Sequence, residues 1–235
     1  MSAYVNGLES FFRPHANRVD AAPMKAYMRN QFDYLGIKMP QQRALLKAYI
    51  SEQGLPELED LPSVLLEMWD LPEREFQYAA QGLLAKLEQS LPPDFIHTIE
   101  ELLTTKPAQR VLREWDTVDP LATHTVGIHF KRYPEVQMKT LVRWRQLDNI
   151  WLRRTCILFQ NKYKTEVDFD LLKDIIQENL GSTEFFINKA IGWALREYTR
   201  VDPDAVRQFV AETPLAPLSA REALKWLNAQ EKKSK

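Results

Sequence analysis

Apolar and polar positions along the chain fall into segments of helix length, and prolines separate most of these segments. The prolines stand at 14, 23, 40, 56, 62, 72, 92, 93, 107, 120, 134, 203, 214 and 217, several of them where a first helical turn has no use for the missing N–H. Leu71-Pro72, Asp119-Pro120 and Asp202-Pro203 each read as the end of one helix and the start of the next. No alternating β-branched run of strand length occurs. The pattern predicts about a dozen helices joined by short loops, with no sheet.

Three segments resemble one another: EREFQYAAQGLLAKL from Glu73, NIWLRRTCILFQNKY from Asn149 and EFFINKAIGWALREY from Glu184. Each has an aromatic residue four positions before a small one, followed by an apolar pair. Aligning Phe76, Trp151 and Phe186, with Ala80, Thr155 and Ala190 after them, gives offsets of 75 and 35 residues, two periods and one period of roughly 35 to 38, a spacing typical of helical-pair repeats. Such pairs stack into a curved solenoid whose second helices line a concave surface suited to an elongated partner. At 235 residues the chain has room for one large domain or two small ones. The repeat reading makes it one continuous domain over residues 1–235, with 230–235, ending in EKKSK, a frayed polar tail.

Composition sharpens this picture. Apolar residues make up 45% and charged residues 27%, enough to bury a core, and there are only 7 glycines among an excess of strong helix formers. No run approaches the roughly 18 apolar residues that a membrane span needs, and the N-terminus lacks the pattern of a secretory signal. The single cysteine, Cys156, sits in the apolar run TCILF and reads as a buried small hydrophobe in a reducing compartment. A cytoplasmic protein is expected, associated with the nucleoid if the source is bacterial, and no membrane partner.

Net charge is −1, but its distribution is uneven. Residues 1–130 carry 12 Lys/Arg against 18 Asp/Glu, and residues 131–235 carry 19 against 14. Within 131–164, nine basic residues (Lys131, Arg132, Lys139, Arg143, Arg145, Arg153, Arg154, Lys162 and Lys164) face two acids, Glu135 and Asp148. Such clustering is the electrostatic footprint of phosphate contacts, although a solvated face produces the same run.

The four histidines are scattered, the closest pair five residues apart, and the isolated glycines form no phosphate-binding loop. No metal site, nucleotide cofactor or acyl-transfer machinery is expected. What remains is a set of tryptophans, a carboxylate and arginines. Trp115 and Asp119 in REWDTVDP are four apart and share a helix face, yet Asp before Pro also reads as a helix N-cap and Trp as a half-buried core residue. Trp193 and Arg196 flank a helical stretch in KAIGWALREY, where Gly192 hints at close approach by something. Arg153 and Arg154 follow Trp151 and, being adjacent, point to different azimuths, so at least one faces the repeat's inner surface.

These residues match a known pattern. The stretches MKAYMRNQFDYLGI, MWDLPEREFQ, WDTVD, DNIWLRRTCILFQNKYK, STEFFINKAIGWALREY and LAPLSAREA resemble the AlkD-like alkylpurine DNA glycosylases built from HEAT-like repeats, over nearly the whole chain. The resemblance implies an all-α, right-handed solenoid of HEAT-like repeats whose concave face holds duplex DNA. It also implies a monofunctional DNA glycosylase that acts as a monomer, without cofactor, on cationic N3- or N7-alkylated purines and leaves an abasic site. By the same resemblance the catalytic carboxylate is Asp119, the active-site tryptophans are Trp115 and Trp193, and the active-site arginine is Arg154. Tyr27 matches a DNA-facing position, and Arg43, Arg153, Lys162, Lys164, Lys189 and Arg196 complete the expected DNA contacts. One departure is an insertion within TTKPAQRVLREWDTVD that leaves Glu114 where the family has a first tryptophan. Because some relatives bind DNA without excising bases, a non-catalytic DNA-binding protein is the alternative.

The residue types suit the chemistry. An alkylated purine already carries positive charge and leaves neutral, so no proton donor is needed. The charge that develops on the sugar can be stabilised by a carboxylate that also orients water, and indole faces attract cations. On this scheme Arg154 and its basic neighbours hold the phosphates bordering the lesion.

Overall fold

The computed structural model describes residues 1–104 and 115–233, excepting the side chains at 115, 231 and 233. Every regular element among the described residues is helical, and strand-like pairing is confined to one isolated bridge between Asp33 and Glu73. The inserted residues and Glu114 lie outside the described set. By internal packing the chain divides into two compact units, Met1–Thr117 and Val118–Lys235.

Unit 1 comprises α1 (Ala3–Phe12), α2 (Arg18–Tyr27), α3 (Met39–Gln53), α4 (Leu61–Asp70), α5 (Arg74–Leu87), α6 (Ile96–Thr104) and the first residues of α7 (Trp115–Pro120). Side-chain caps set the first two starts: the Ser2 hydroxyl accepts from the Val5 N–H, and Asn17 Oδ1 accepts from the N–H groups of Val19 and Asp20. α1 packs on α3 and α4, and α5 on α3 and α4, closing over Val5, Leu8, Phe12, Leu61, Leu65, Phe76 and Leu83, all fully buried. The Phe12 and Phe76 rings meet at 5.9 Å.

Unit 2 continues from α7 into a π-helical stretch (Leu121–Val126). It then forms α8 (Gly127–Arg132), α9 (Pro134–Gln146), α10 (Ile150–Leu158), α11 (Phe169–Glu178), α12 (Phe185–Tyr198), α13 (Pro203–Glu212) and α14 (Pro217–Lys233). The π-helical stretch packs on α10, α10 on α12 and α12 on α14, so alternate helices stack in chain order as helical repeats require. Trp151 and Phe186, equivalent positions in the sequence repeat, touch with ring centroids 5.2 Å apart. A second aromatic cluster joins Phe130, Trp144 and Phe159, with Phe130 at 6.1 Å from Trp144 and 5.3 Å from Phe159.

Two local readings change. Asp119-Pro120 is not a junction between helices, because both residues lie inside α7. Proline costs a helix one N–H bond, and here the backbone goes on past it by widening, with the Gly127 N–H reaching the Ala122 carbonyl five residues back. Asp119 is therefore not an N-cap. At the other end, α14 runs through Lys233, beyond the fraying expected from residue 230.

Gly192 does mark a close approach, by the protein itself. A Cβ there would stand 2.5 Å from Glu222 Cβ and 2.9 Å from the Ser219 carbonyl oxygen, so its absence is what lets α12 and α14 pack this tightly. Cys156 is buried, and burial pushes its thiol up to about 12. Among the described residues no helix is long and apolar enough to cross a membrane, and no group of three or more His, Cys, Asp or Glu could hold a metal ion.

Candidate active site

In unit 2 an arginine grips an aspartate. Asn149 caps α10, accepting from the N–H groups of Trp151 at 2.9 Å and Leu152 at 3.1 Å. This start places Arg154 on the second turn, facing α7. Its Nε donates to Asp119 Oδ1 at 2.7 Å and its Nη2 to Oδ2 at 2.9 Å, a two-pronged fork. The third nitrogen, Nη1, donates to the Phe186 carbonyl oxygen at the start of α12. The Arg154 side chain is 3% exposed and that of Asp119 14%, so the guanidinium is sealed while the carboxylate keeps an edge toward solvent. Asp119 is held from its backbone side as well, where its carbonyl accepts from the Thr123 hydroxyl at 2.8 Å.

This differs from the phosphate-clamping role expected for Arg154. Its planar fork matches a carboxylate, and with the charge buried the nearest anion on the same body takes it. Trp193 is half-buried on α12 and donates its indole N–H to Glu197 Oε1 at 3.3 Å. The Trp115 side chain lies outside the described residues.

The expected DNA-contacting cations divide into held and open. Lys189 Nζ and Arg196 Nη1 both pair with Glu222, at 2.9 and 2.7 Å. The Glu222 carboxyl is pulled below its ordinary value, most by Lys189 and further by Lys225 and Arg196. Arg153 donates from Nε and Nη2 to Asn179 Oδ1. Lys162, Lys164 and Arg43 are exposed. Lys162 and Lys164 border a cavity of about 370 Å³ whose floor includes Ile157, Leu172 and Ala194. Tyr27, on α2 in unit 1, is 66% exposed.

Sequence reasoning passed over a second pair. In unit 1, Arg74 Nη2 donates to Asp116 Oδ1 at 2.7 Å and to Thr117 Oγ1 at 3.2 Å, its Nη1 donates to Gln77 Oε1 at 3.0 Å, and its guanidinium lies 4.0 Å from the Phe32 ring centre. The Tyr78 hydroxyl donates to Asp116 Oδ2 at 2.5 Å. The available signal was the second aspartate in WDTVD, three residues before Asp119. Beside this network the Glu75 carboxylate, fully buried, accepts the backbone N–H groups of Leu35, Gly36 and Ile37 at 2.9 to 3.1 Å. Burial pushes its carboxyl up and the three donors pull it back.

The arrangement offers an oriented, partly open carboxylate in unit 2 and exposed lysines on the same unit. The profile of a family described as "DNA alkylation repair enzyme" matches residues 8–227. A solved structure described as a "Predicted DNA alkylation repair enzyme from Enterococcus faecalis" is 30% identical, superposes with a TM-score of 0.80, and covers 90% of this chain and 96% of its own. A search of curated proteins finds no match.

Proposed function

Since the chain belongs to the DNA alkylation repair enzyme family, and so has a role in DNA repair, we propose that it is a monofunctional glycosylase. On this reading it releases cationic N3- or N7-alkylated purines from duplex DNA and leaves an abasic site. The observation that carries the reading is the grip of Arg154 on Asp119. A carboxylate has about four lone-pair positions; the fork takes one per oxygen and sets the plane in which the group meets a water and the sugar.

In this mechanism the electron pair of the C1′–N bond goes to the purine, which leaves neutral because it began cationic. Positive charge grows on the sugar ring, and the Asp119 carboxylate stabilises it while orienting the attacking water. Oxygen from that water bonds to C1′ and its proton passes to the carboxylate or to solvent. Trp193 supplies an indole face that favours the charged state over the neutral one by about 0.5–2 kcal/mol. Lys162 and Lys164, exposed and without an ion pair among the described residues, are the better phosphate anchors on unit 2, with Tyr27 and Arg43 as further contacts from unit 1. Lys189, Arg196 and Arg153 act through the side chains they already hold.

The test is a duplex containing 7-methylguanine, followed for free base. Asp119→Asn is expected to slow release by roughly 100-fold or more, as loss of one preorganised electrostatic group does, with duplex affinity changed by less than about threefold. Binding without release by the unsubstituted protein would instead favour the non-catalytic reading.

A further inference from the structure

Trp193 and Glu197 stand four residues apart on α12 and so share one face of that helix. The indole N–H of Trp193 donates to Glu197 Oε1 at 3.3 Å, and the other carboxylate oxygen, Oε2, lies 3.8 Å from Arg200 Nη1. The backbone beside the indole is fixed, because α14 packs closely against Gly192. An indole has one donor and no acceptor, and its χ2 torsion is only broadly restricted by itself. A bond at Nε1 therefore narrows the orientations open to this half-buried ring.

The place of Glu197 makes the contact informative. Its side chain is 28% exposed and borders the same cavity of about 370 Å³ as Lys162 and Lys164. A carboxylate beside the lysines proposed to hold phosphates repels those phosphates, and so weakens the grip on undamaged DNA. What it supplies instead acts through the ring. A carboxylate that accepts the indole N–H pushes electron density into the ring, as hydrogen-bonded groups polarise one another. The ring face becomes more negative, and a cation in front of it is held more tightly.

We infer that Glu197 is a positioning residue, which orients and polarises the Trp193 indole toward the positive charge that grows on the sugar. The inference rests on the role proposed for Trp193. It adds a second carboxylate to the reaction, one that acts through the indole where Asp119 acts on the sugar itself.

The probes are two duplexes. One carries a pyrrolidine abasic-site analogue, whose protonated ring nitrogen puts a cation in the sugar, and the other its neutral tetrahydrofuran counterpart. Binding of each to the full chain is read by fluorescence anisotropy. The unsubstituted protein is expected to hold the charged duplex about tenfold more tightly. Glu197→Gln is expected to narrow that preference about threefold, while affinity for lesion-free duplex stays level or rises. In a Trp193→Phe background, which keeps a ring but has no N–H, the same substitution is expected to change the preference by less than about 1.5-fold, since only a direct charge effect survives there. By NMR the Trp193 indole N–H resonance, identified by its absence in Trp193→Phe, is expected to move upfield in Glu197→Ala. An unchanged preference in Glu197→Gln, an equal narrowing in the Trp193→Phe background, a matching fall in lesion-free affinity, or an indole resonance that stays in place would each overturn the role of Glu197. No preference for the charged duplex in the unsubstituted protein would overturn the role of Trp193 as well.

Discussion

Asp116 and Asp119 stand three residues apart, and each meets a buried arginine through a short charged hydrogen bond. The surroundings differ. Arg74 is enclosed by side chains: besides Asp116 it bonds Gln77 and Thr117, and it lies against the Phe32 ring. Arg154 divides its donors between Asp119 and a backbone carbonyl, and both prongs of its fork are short. The first arrangement knits three parts of unit 1 together. The second sets the plane of one carboxylate. The same two residue types thus serve cohesion in one unit and orientation in the other, and the partners beyond the pair decide which.

Breaking the first pair has the largest expected effect. Arg74→Leu leaves the half-buried Asp116 without its cation, at a cost of about 3 kcal/mol or more. In a chain of this size that lowers the thermal midpoint by roughly 10 °C, read by calorimetry. Below the new midpoint the rate of base release is expected to hold. A fall of only a degree or two would show that the Tyr78 hydroxyl is enough to hold the carboxylate.

Arg154→Lys sharpens the other side. Charge is kept but the fork is lost, so the carboxylate plane is no longer set, and single-turnover release is expected to slow by about 10- to 100-fold with duplex affinity nearly unchanged. Parallel loss of affinity with an unaltered rate would return Arg154 to the phosphate-anchoring role.

The smallest effect belongs to Glu222, an ion-pair hub in unit 2 whose cations are partly exposed. Its folded carboxyl titrates below the ordinary 4.5, chiefly because of Lys189 and then through the charges of Lys225 and Arg196. The pairing therefore stabilises the fold above that ordinary value and is lost as pH falls through the lowered one. Glu222→Gln is expected to cost under about 1 kcal/mol at neutral pH and to flatten the acid limb of the melting curve. An unchanged acid limb would show that other carboxylates set it.

Much of the fold was legible because its causes are local. Asn149 and Asp202 announce helix starts by capping them, Asp168 does so at α11, and the spacing of Phe76, Trp151 and Phe186 identifies equivalent helices. Gly192 announced a close approach but not that α14 makes it. Asp119-Pro120 misled because a proline-containing helix that widens looks, in sequence, like a helix that stops. The basic window at 131–164 was read as one footprint. In the fold, Lys131 pairs with Glu166, Arg145 with Glu178 and Arg154 with Asp119, and Arg153 bonds Asn179, while Lys139, Arg143, Lys162 and Lys164 are exposed, the last two at a cavity edge.

What the amino-acid order determined by itself was the helical nature of the chain, its repeat, and the presence of an aspartate and an arginine in family-matching stretches. Caps, periodicity and backbone preference act within three or four residues, so one strand of text contains them. Only the tertiary structure decided that Arg154 reaches Asp119 across 35 positions, that Arg74 reaches Asp116 across 42, and that Arg196 turns to Glu222 across 26. A buried charge takes the partner that packing brings within hydrogen-bond reach, and no local rule names that partner.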